Sequence, residues 1–396
     1  GSACMMTRIR SWIETFFLFI LVIRPSLDVT TGWKMALGPV SLNPAGFLSL
    51  AILGLGAIWL GMLEKEERAS LLGHPAVLLM ATWLFLLLPW AVFPVFIHGT
   101  ARIAAIREWI RLLSFLPFFT LFLNLRIRGD GNRILVALLL SMIVPALTGF
   151  YQIAFHQGMM VQNAHRIQST FAHPNPFSFY LVLMAGIVYA QFRWSDRRIV
   201  WGVLLFLVLG LLGATFSFTG AGMLGVLILL LALGENRKLR IAILVVLVLF
   251  TVLFIATPTG QQRIRTITQW DNLDEIERTG KETSSMVWRL LNWRFLYRTW
   301  KQSPWVGYGL DSSPVVNPMR ENRGTGPGQE PHNDYVRFLI DTGGIGLIVN
   351  LGWVLGIGVI LLRAYRQTQT PRDRHFIWVA MALYGTWLAG SMNDNL

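Results

Sequence analysis

The chain has 396 residues, of which 54% are hydrophobic and only 14% are charged. Soluble globular proteins carry about 25% charged residues, so this composition excludes an ordinary soluble protein. The net charge of +13 has no nucleic-acid-binding motif beside it, so nucleic acid is not expected as a partner and basic loops beside a membrane explain the charge better.

Long apolar blocks recur along the whole chain, and a membrane-spanning helix needs about 17–25 mainly apolar residues. We predict eleven spans, at residues 12–24, 44–63, 75–97, 108–125, 134–156, 176–192, 199–214, 220–234, 241–257, 343–362 and 375–391. The apolar block 199–234 is too long for one helix, and Ser217–Gly222 interrupts it, so it is predicted to be a helical hairpin. These elements predict an all-α polytopic membrane protein with 11–12 transmembrane helices, since the odd count of eleven leaves open whether a twelfth is missing.

Lysines and arginines orient the predicted spans. With the N-terminus inside, the inside segments carry 17 of the 34 basic residues and the short outside segments carry six, as the positive-inside rule requires. The other 11 lie in one long outward segment, and long segments are exempt from this rule. We therefore divide the chain into transmembrane helices 1–9 (residues 1–257), a large outward loop with helices (258–342) and the C-terminal transmembrane helices (343–396).

The outward loop begins its ordered part with a predicted helix over Ser284–Gln302. Helical spacing places four residues on one apolar face, namely Trp288, Leu291, Phe295 and Thr299. Polar residues fall elsewhere, namely Arg289, Asn292, Arg294 and Lys301. Such a helix can lie on the membrane surface, and its arginines suit a diphosphate because guanidinium binds phosphate through two hydrogen bonds. The turn-rich residues 303–309 end the helix, and Ser312–Glu330 is expected to be mobile.

A second helix is predicted after Pro331. Asn333 can cap its first turn, and Gly343 with Gly344 can end it or permit close packing. His332 would then lie at the positive end of the helix dipole, which disfavours the imidazolium and suits a neutral general base. A structural role for this histidine remains the alternative.

Three segments carry a resemblance to a known family. Residues 331–347, PHNDYVRFLIDTGGIGL, resemble the hallmark of the O-antigen ligase and polymerase superfamily. Residues 289–293 and 303–309 are similar to the family's Arg/Trp element and its glycine-rich turn, and residues 166–175 resemble its outward Arg, Thr-Phe and Pro-Asn motif. The chain departs from the family at Ser217-Phe218-Thr219, where the family usually has an arginine. That role is either dispensable or supplied elsewhere, for example by Arg263 or Arg265.

The resemblance implies a GT-C-like glycosyltransferase of the O-antigen ligase family, in the bacterial inner membrane with its active site facing the periplasm. The donor would be a glycan on undecaprenyl diphosphate and the acceptor a sugar hydroxyl of lipid A–core, with membrane lipids as further partners. The chemistry would be inverting and metal-independent, without a cofactor. The expected catalytic residues are His332, Arg289 and Arg166. The expected substrate-binding residues are Arg263, Arg265, Arg294, Asn333 and Asn175.

Three alternatives stay open. An O-antigen polymerase and a protein O-oligosaccharyltransferase use the same type of donor, and no residue pattern identifies the acceptor. A small-anion transporter, for bicarbonate for instance, belongs to another class. It should show charges within the spans or internal repeats. The ionisable residues cluster outside the predicted spans instead, which favours chemistry at the membrane surface.

Overall fold

The computed structural model describes residues 2–27, 35–37, 40–42, 44–94, 102–161, 164–256, 261, 274, 277, 285–320 and 330–392. These residues are almost all helical. The helices are α1 (Ser2–Ile23), α2 (Pro44–Met62), α3 (Lys65–Leu72), α4 (Pro75–Val92), α5 (Arg102–Leu113), α6 (Phe115–Ile127), α7 (Gly131–Ser141), α8 (Ile143–Ala154), α9 (Pro174–Trp194), α10 (Arg198–Ala214), α11 (Phe218–Leu233), α12 (Arg237–Ala256), α13 (Ser285–Trp300), α14 (Ser313–Val316), α15 (Asp334–Gln367) and α16 (Pro371–Gly390). Short 3-10 turns lie at Arg24–Ser26 and Pro318–Arg320.

Two small antiparallel hairpins accompany the helices. Strand β1 (Met35–Leu37) pairs with β2 (Val40–Leu42), and β3 (Met159–Val161) pairs with β4 (Ala164–Arg166). In the second hairpin Met159 is opposite Arg166, so the register places this arginine at the end of the ladder, just before the chain runs on to α9.

Within the described residues, a helix overlaps every predicted span. Five described helical segments are long and apolar enough to cross a membrane, namely Pro75–Val92, Ile103–Ile127, Gly131–Ala154, Pro174–Trp194 and Asp334–Gln367. Three shorter apolar helices are Gly46–Met62, Arg198–Ala214 and Phe218–Leu233. The protein is therefore an all-α polytopic membrane protein. The predicted break in this block is confirmed, because α10 ends at Ala214 and α11 begins at Phe218. Packing of the two helices as a hairpin stays a prediction.

The chain divides into two compact units. The first comprises residues 1–88, 106–221 and 353–363. Its core forms where α1, α2 and α6 pack together, with Phe17, Leu121 and Leu125 fully buried at 0% exposure. Gly56 lets α2 approach Pro117 at the start of α6, because any side chain there would overlap the proline ring.

The first unit also contains a buried ionic cluster around Glu14, a carboxylate of α1 that is only 3% exposed. Arg128 donates to it at 2.9 Å and Arg10 at 3.2 Å. Arg10 also donates to Glu67 of α3, whose pKa is lowered chiefly by this hydrogen bond. The cluster compensates the burial of Glu14, since an unpaired buried charge is strongly unfavourable.

The second unit comprises residues 89–105, 222–352 and 364–396. In it, α16 packs on α11. The Trp378 indole N–H donates to the Leu230 carbonyl at 3.0 Å, one of the last carbonyls of α11, which has no partner within its own helix. Gly234 leaves room for that indole, since a Cβ at this position would overlap it.

Candidate functional site

Helix α13, in the second unit, supplies the framework of the candidate site. Its buried face includes Val287 and Leu291, each 3% exposed, and Leu296 at 0%. Of the face that was predicted to lie on the membrane surface, Leu291 and Thr299 are buried within the protein. The prediction was wrong for Asn292, which was placed among the polar positions but is 0% exposed. Its amide can be buried because both ends of it are hydrogen bonded.

Side chains of α13 hold the segment that carries His332. The Asn292 amide donates to the Glu330 carbonyl at 2.9 Å, and the Trp293 indole N–H donates to the Pro331 carbonyl at 2.7 Å. The Trp288 ring meets the His332 imidazole edge-on, with centroids 5.5 Å apart and an interplanar angle of 69°. Because residues four apart lie on the same side of a helix, Arg289 shares the side of α13 that carries Trp293.

His332 itself has an unusual backbone. Its φ is +50°, in the left-handed region that a side chain with a Cβ rarely adopts. The imidazole is half-buried. Such backbone strain persists only when the surroundings enforce it, and it concentrates at functional sites. The contacts from α13 just before His332, and the helix cap just after it, are the groups that enforce it here.

Asn333 caps α15, as predicted. Its side-chain oxygen accepts the N–H of Val336 at 3.1 Å. Its amide nitrogen donates to the Met392 carbonyl at 2.8 Å, and the N–H of Asp334 donates to the Ser391 carbonyl at 2.8 Å. The start of α15 is thus fastened to the end of α16. Both ends of the Asn333 amide therefore already have protein partners. Substrate binding by Asn333 remains a prediction.

Helix α15 is broken at Gly343, where φ is +64° and ψ −169°. The turn Ser303–Gly309 fits against this break. The carbonyl of Asp341 accepts the N–H of Gly309 at 2.7 Å, and the N–H of Gly344 donates to the Pro304 carbonyl at 2.8 Å. A Cβ on Gly343 would overlap the Trp305 backbone. Both predicted uses of this glycine, ending a helix and permitting close approach, are therefore confirmed.

A buried carboxylate fastens the residues after this turn to the same helix. Asp341 is 3% exposed and accepts the N–H of Ser313 at 2.7 Å and the N–H of Asp311 at 2.9 Å. The Arg337 guanidinium donates to Asp311 at 2.9 Å. Residues 312–330 were expected to be mobile, but Ser312 and Ser313 are 0% exposed. The expectation was therefore wrong at these two serines, which both donate to Asp341. Residues 321–329 lie outside the described residues.

Arg166 and Asn175 lie together in the first unit. The Arg166 Nε donates to the Thr215 carbonyl at 2.8 Å, and its Nη2 donates to the Asn175 side-chain oxygen at 3.3 Å. The hydroxyl of Ser217 donates to that same oxygen at 2.9 Å. The guanidinium therefore lies at the turn between α10 and α11. Diphosphate binding by Arg166 and Asn175 stays a prediction.

The other predicted arginines are placed differently. Arg294 forms ion pairs with Asp274 at 2.5 Å and with Glu277 at 3.5 Å. The hydrogen bond to Asp274 raises the pKa of Arg294. Five residues separate Arg289 from Arg294, which turns their side chains about 140° apart around α13. The structure thus does not place Arg294 on the Arg289 side of the helix. Arg263 and Arg265 lie outside the described residues.

In the described part of the chain, no three His, Cys, Asp or Glu side chains are grouped as metal ligands. A metal-independent reaction stays a prediction. Sequence reasoning missed Trp288 as a neighbour of His332, the role of Asn292 and the buried carboxylate of Asp341. Asp341 carried a usable signal, since a carboxylate next to a long apolar stretch of helix needs a partner.

Part of the chain matches a known protein family. Residues 203–351 match the family model described as O-antigen ligase. The match covers α13, His332 and the break at Gly343, and it stops short of Arg166. No curated protein matches the chain. Residues 203–351 of this chain are therefore similar to the O-antigen ligase family.

Proposed function

We propose that this protein is an O-antigen ligase that transfers a glycan from undecaprenyl diphosphate to a sugar hydroxyl of lipid A–core. The active site would face the periplasm from the bacterial inner membrane. The match at residues 203–351 supports chemistry of the ligase or polymerase type. The choice of the ligase, the donor, the acceptor and the residue roles are parts of this proposal.

One observation carries the proposal: a half-buried histidine held on a left-handed backbone, on the side of α13 that presents Arg289. A general base must be fixed within hydrogen-bonding reach of the hydroxyl that it deprotonates. His332 has the rigid support for this, since hydrogen bonds hold the chain on both sides of it.

The reaction needs few groups, because the donor already carries a good leaving group. The acceptor oxygen attacks the anomeric carbon, and the bond between that carbon and the diphosphate oxygen breaks. Undecaprenyl diphosphate leaves with the electron pair, and the hydroxyl proton passes to His332. A single direct displacement inverts the anomeric centre. Proton transfer to a positioned base contributes about 10²–10⁴-fold to the rate.

Arg289 and Arg166 would neutralise the charge that grows on the leaving diphosphate. Fixed positive groups at the point where charge develops usually provide the largest part of catalysis. A guanidinium suits this role because it stays charged and forms paired hydrogen bonds to phosphate oxygens. Arg263, Arg265, Arg294, Asn333 and Asn175 complete the proposed substrate-binding set.

The test is transfer by purified protein in liposomes containing undecaprenyl-diphosphate glycan and lipid A–core, with EDTA present. Wild type should transfer, and His332→Ala should be slowed by about 10²-fold or more. His156→Ala is a matched control, because His156 is an exposed histidine that also has a positive φ, +51°. The control should transfer at the wild-type rate.

Other outcomes favour the alternatives. A lengthened lipid-linked glycan with unmodified lipid A–core would indicate a polymerase. Glycan found only on added acceptor protein would indicate a protein O-oligosaccharyltransferase. If no acceptor is modified and the liposomes take up bicarbonate, the transporter replaces the enzyme. Wild-type transfer by His332→Ala would remove the general-base assignment and leave the ligase reading intact.

A further inference from the structure

Two buried amides form a chain beside His332. Asn292 is 0% exposed and Asn317 is 2% exposed. The Asn317 amide nitrogen donates to the Asn292 side-chain oxygen at 2.5 Å, and the Asn292 nitrogen donates to the Glu330 carbonyl at 2.9 Å. The Asn317 oxygen accepts the N–H of Met319 at 3.1 Å. A carbonyl at one end and an N–H at the other thus fix the direction of both amides.

Hydrophobic burial does not explain why an asparagine stands at position 292. The buried face of α13 around Asn292 includes Leu291 and Leu296, and a leucine at position 292 would bury more apolar surface without needing a partner. A buried amide costs free energy unless it is hydrogen bonded, and its bonds then contribute direction. The direction here is toward Glu330, two residues before His332.

The hydrogen bond from Asn292 to the Glu330 carbonyl restrains the backbone next to His332. Left to itself, a residue with a Cβ prefers a negative φ by about 1–2 kcal/mol, and that change would turn the imidazole away from its present position. Asn292 and Trp293 hold the two consecutive carbonyls before His332, and Asn333 holds the chain after it. The left-handed conformation is fixed from both sides.

We propose that Asn292 is a positioning residue for the transfer reaction: through the Glu330 carbonyl it keeps His332 in its left-handed conformation. Asn292 has no exposed surface, so it does not touch a substrate. This inference rests on the proposed function of His332 as the base. Asn317 acts one step earlier, by turning the Asn292 nitrogen toward Glu330.

The test compares Asn292→Asp and Asn292→Leu with wild type in the reconstituted transfer assay. The aspartate keeps an acceptor for Asn317 but cannot donate to Glu330, and the leucine loses both bonds. In both variants kcat should fall about 10- to 100-fold, because misplacing a catalytic group by about 1 Å costs up to 10²-fold. KM for the lipid-linked donor should stay within about twofold, since a positioning residue acts on the chemical step.

A second readout does not depend on the reaction. Diethyl pyrocarbonate modifies accessible imidazoles, and mass spectrometry gives its rate at His332 in the intact protein. Both Asn292 variants should change this rate at least about threefold, as expected when a restrained group is released. Asn124→Leu is the matched control, because Asn124 is also a buried helix amide, 2% exposed, but binds Glu67. It should leave the His332 rate unchanged.

The outcomes separate the two proposals. An unchanged His332 modification rate in folded Asn292→Asp overturns the positioning role, whatever the activity. A changed His332 modification rate together with a wild-type kcat would show that Asn292 holds His332 but has no role in catalysis, which also overturns the proposal. If wild type transfers nothing, the proposed function fails, and the modification rate alone then decides whether Asn292 holds His332. If Asn292→Leu does not fold, Asn292→Asp carries the test.

Discussion

The indole N–H of Trp293 donates to the Pro331 carbonyl at 2.7 Å, so a side chain of α13 is tied to the residue immediately before His332. Trp293→Phe keeps most of the ring and removes this bond. We expect a loss of about 1 kcal/mol in stability and about a tenfold lower transfer rate. Trp305→Phe, at an indole that is 68% exposed, is the control and should behave as wild type in both measurements.

Gly343 should not tolerate a side chain. Gly343→Ala combines a φ of +64° with a Cβ that overlaps the Trp305 backbone. We expect destabilisation of about 2 kcal/mol or more, seen as a lower unfolding temperature in detergent. Gly54→Ala is the matched control, since it adds a methyl group in α2 with nothing within 4 Å. Equal unfolding temperatures for the two variants would contradict the described break.

Asp341 should be needed as a carboxylate. In the wild type, the two carboxylate oxygens of Asp341 accept the backbone N–H groups of Asp311 and Ser313. Asp341→Asn keeps only one of these acceptor oxygens and turns an amide nitrogen toward the other N–H group. We expect a loss of about 2–4 kcal/mol, the usual effect of breaking a buried hydrogen-bonded charge. The exposed Asp373→Asn should change stability by about 0.5 kcal/mol or less. Denaturant titration in mild detergent gives both values.

Stability should depend on pH through Glu67. The hydrogen bond from Arg10 lowers its pKa below the ordinary 4.5, so this contribution is present above that value and is lost as the pH falls through the folded-state pKa. Glu67→Gln should therefore lower the unfolding temperature at pH 7 and have a smaller effect at pH 4. A larger effect at pH 4 than at pH 7 would contradict the pairing. The neighbouring exposed Glu66→Gln serves as the control.

The orientation of the loop can be tested with single thiols. In a Cys4→Ser background, Gln302→Cys places an exposed thiol in the segment predicted to face the periplasm. A membrane-impermeant maleimide should label it in intact spheroplasts. Gln369→Cys, equally exposed but predicted to face the cytoplasm, should react only after the membrane is opened. The reverse pattern would invert the proposed topology.

Much of the fold could be predicted because apolar length and Lys/Arg asymmetry are properties of consecutive residues. The break before Phe218 and the cap at Asn333 were predictable for the same reason, since each depends on a few neighbouring positions. The contacts of the site were not predictable in this way. Asn292 meets Asn317 and Glu330 across 25 and 38 residues, and nothing in the spacing of α13 indicates an inward-facing amide.

The left-handed backbone of His332 could not be predicted from the sequence either. Glycine marks such positions most clearly, and histidine, although enriched among the residues with positive φ, has a negative φ in most places. Its conformation follows from tertiary contacts with Asn292, Trp293 and the C-terminal end of α16, which is tied to Asn333 and Asp334. Functional residues are where such local rules are most often broken.

The break at Gly343 has a consequence for biogenesis. It leaves the carbonyls of Ile340 and Asp341 and the N–H groups of Gly344 and Ile345 without partners in their own helix, and the Ser303–Gly309 turn supplies all four. Hydrocarbon offers no substitute partners, so α15 cannot settle in the bilayer as an independent segment. The turn precedes α15 in the chain and leaves the ribosome first. The Ser303–Gly309 turn therefore has to be in place before α15 can insert as a complete segment.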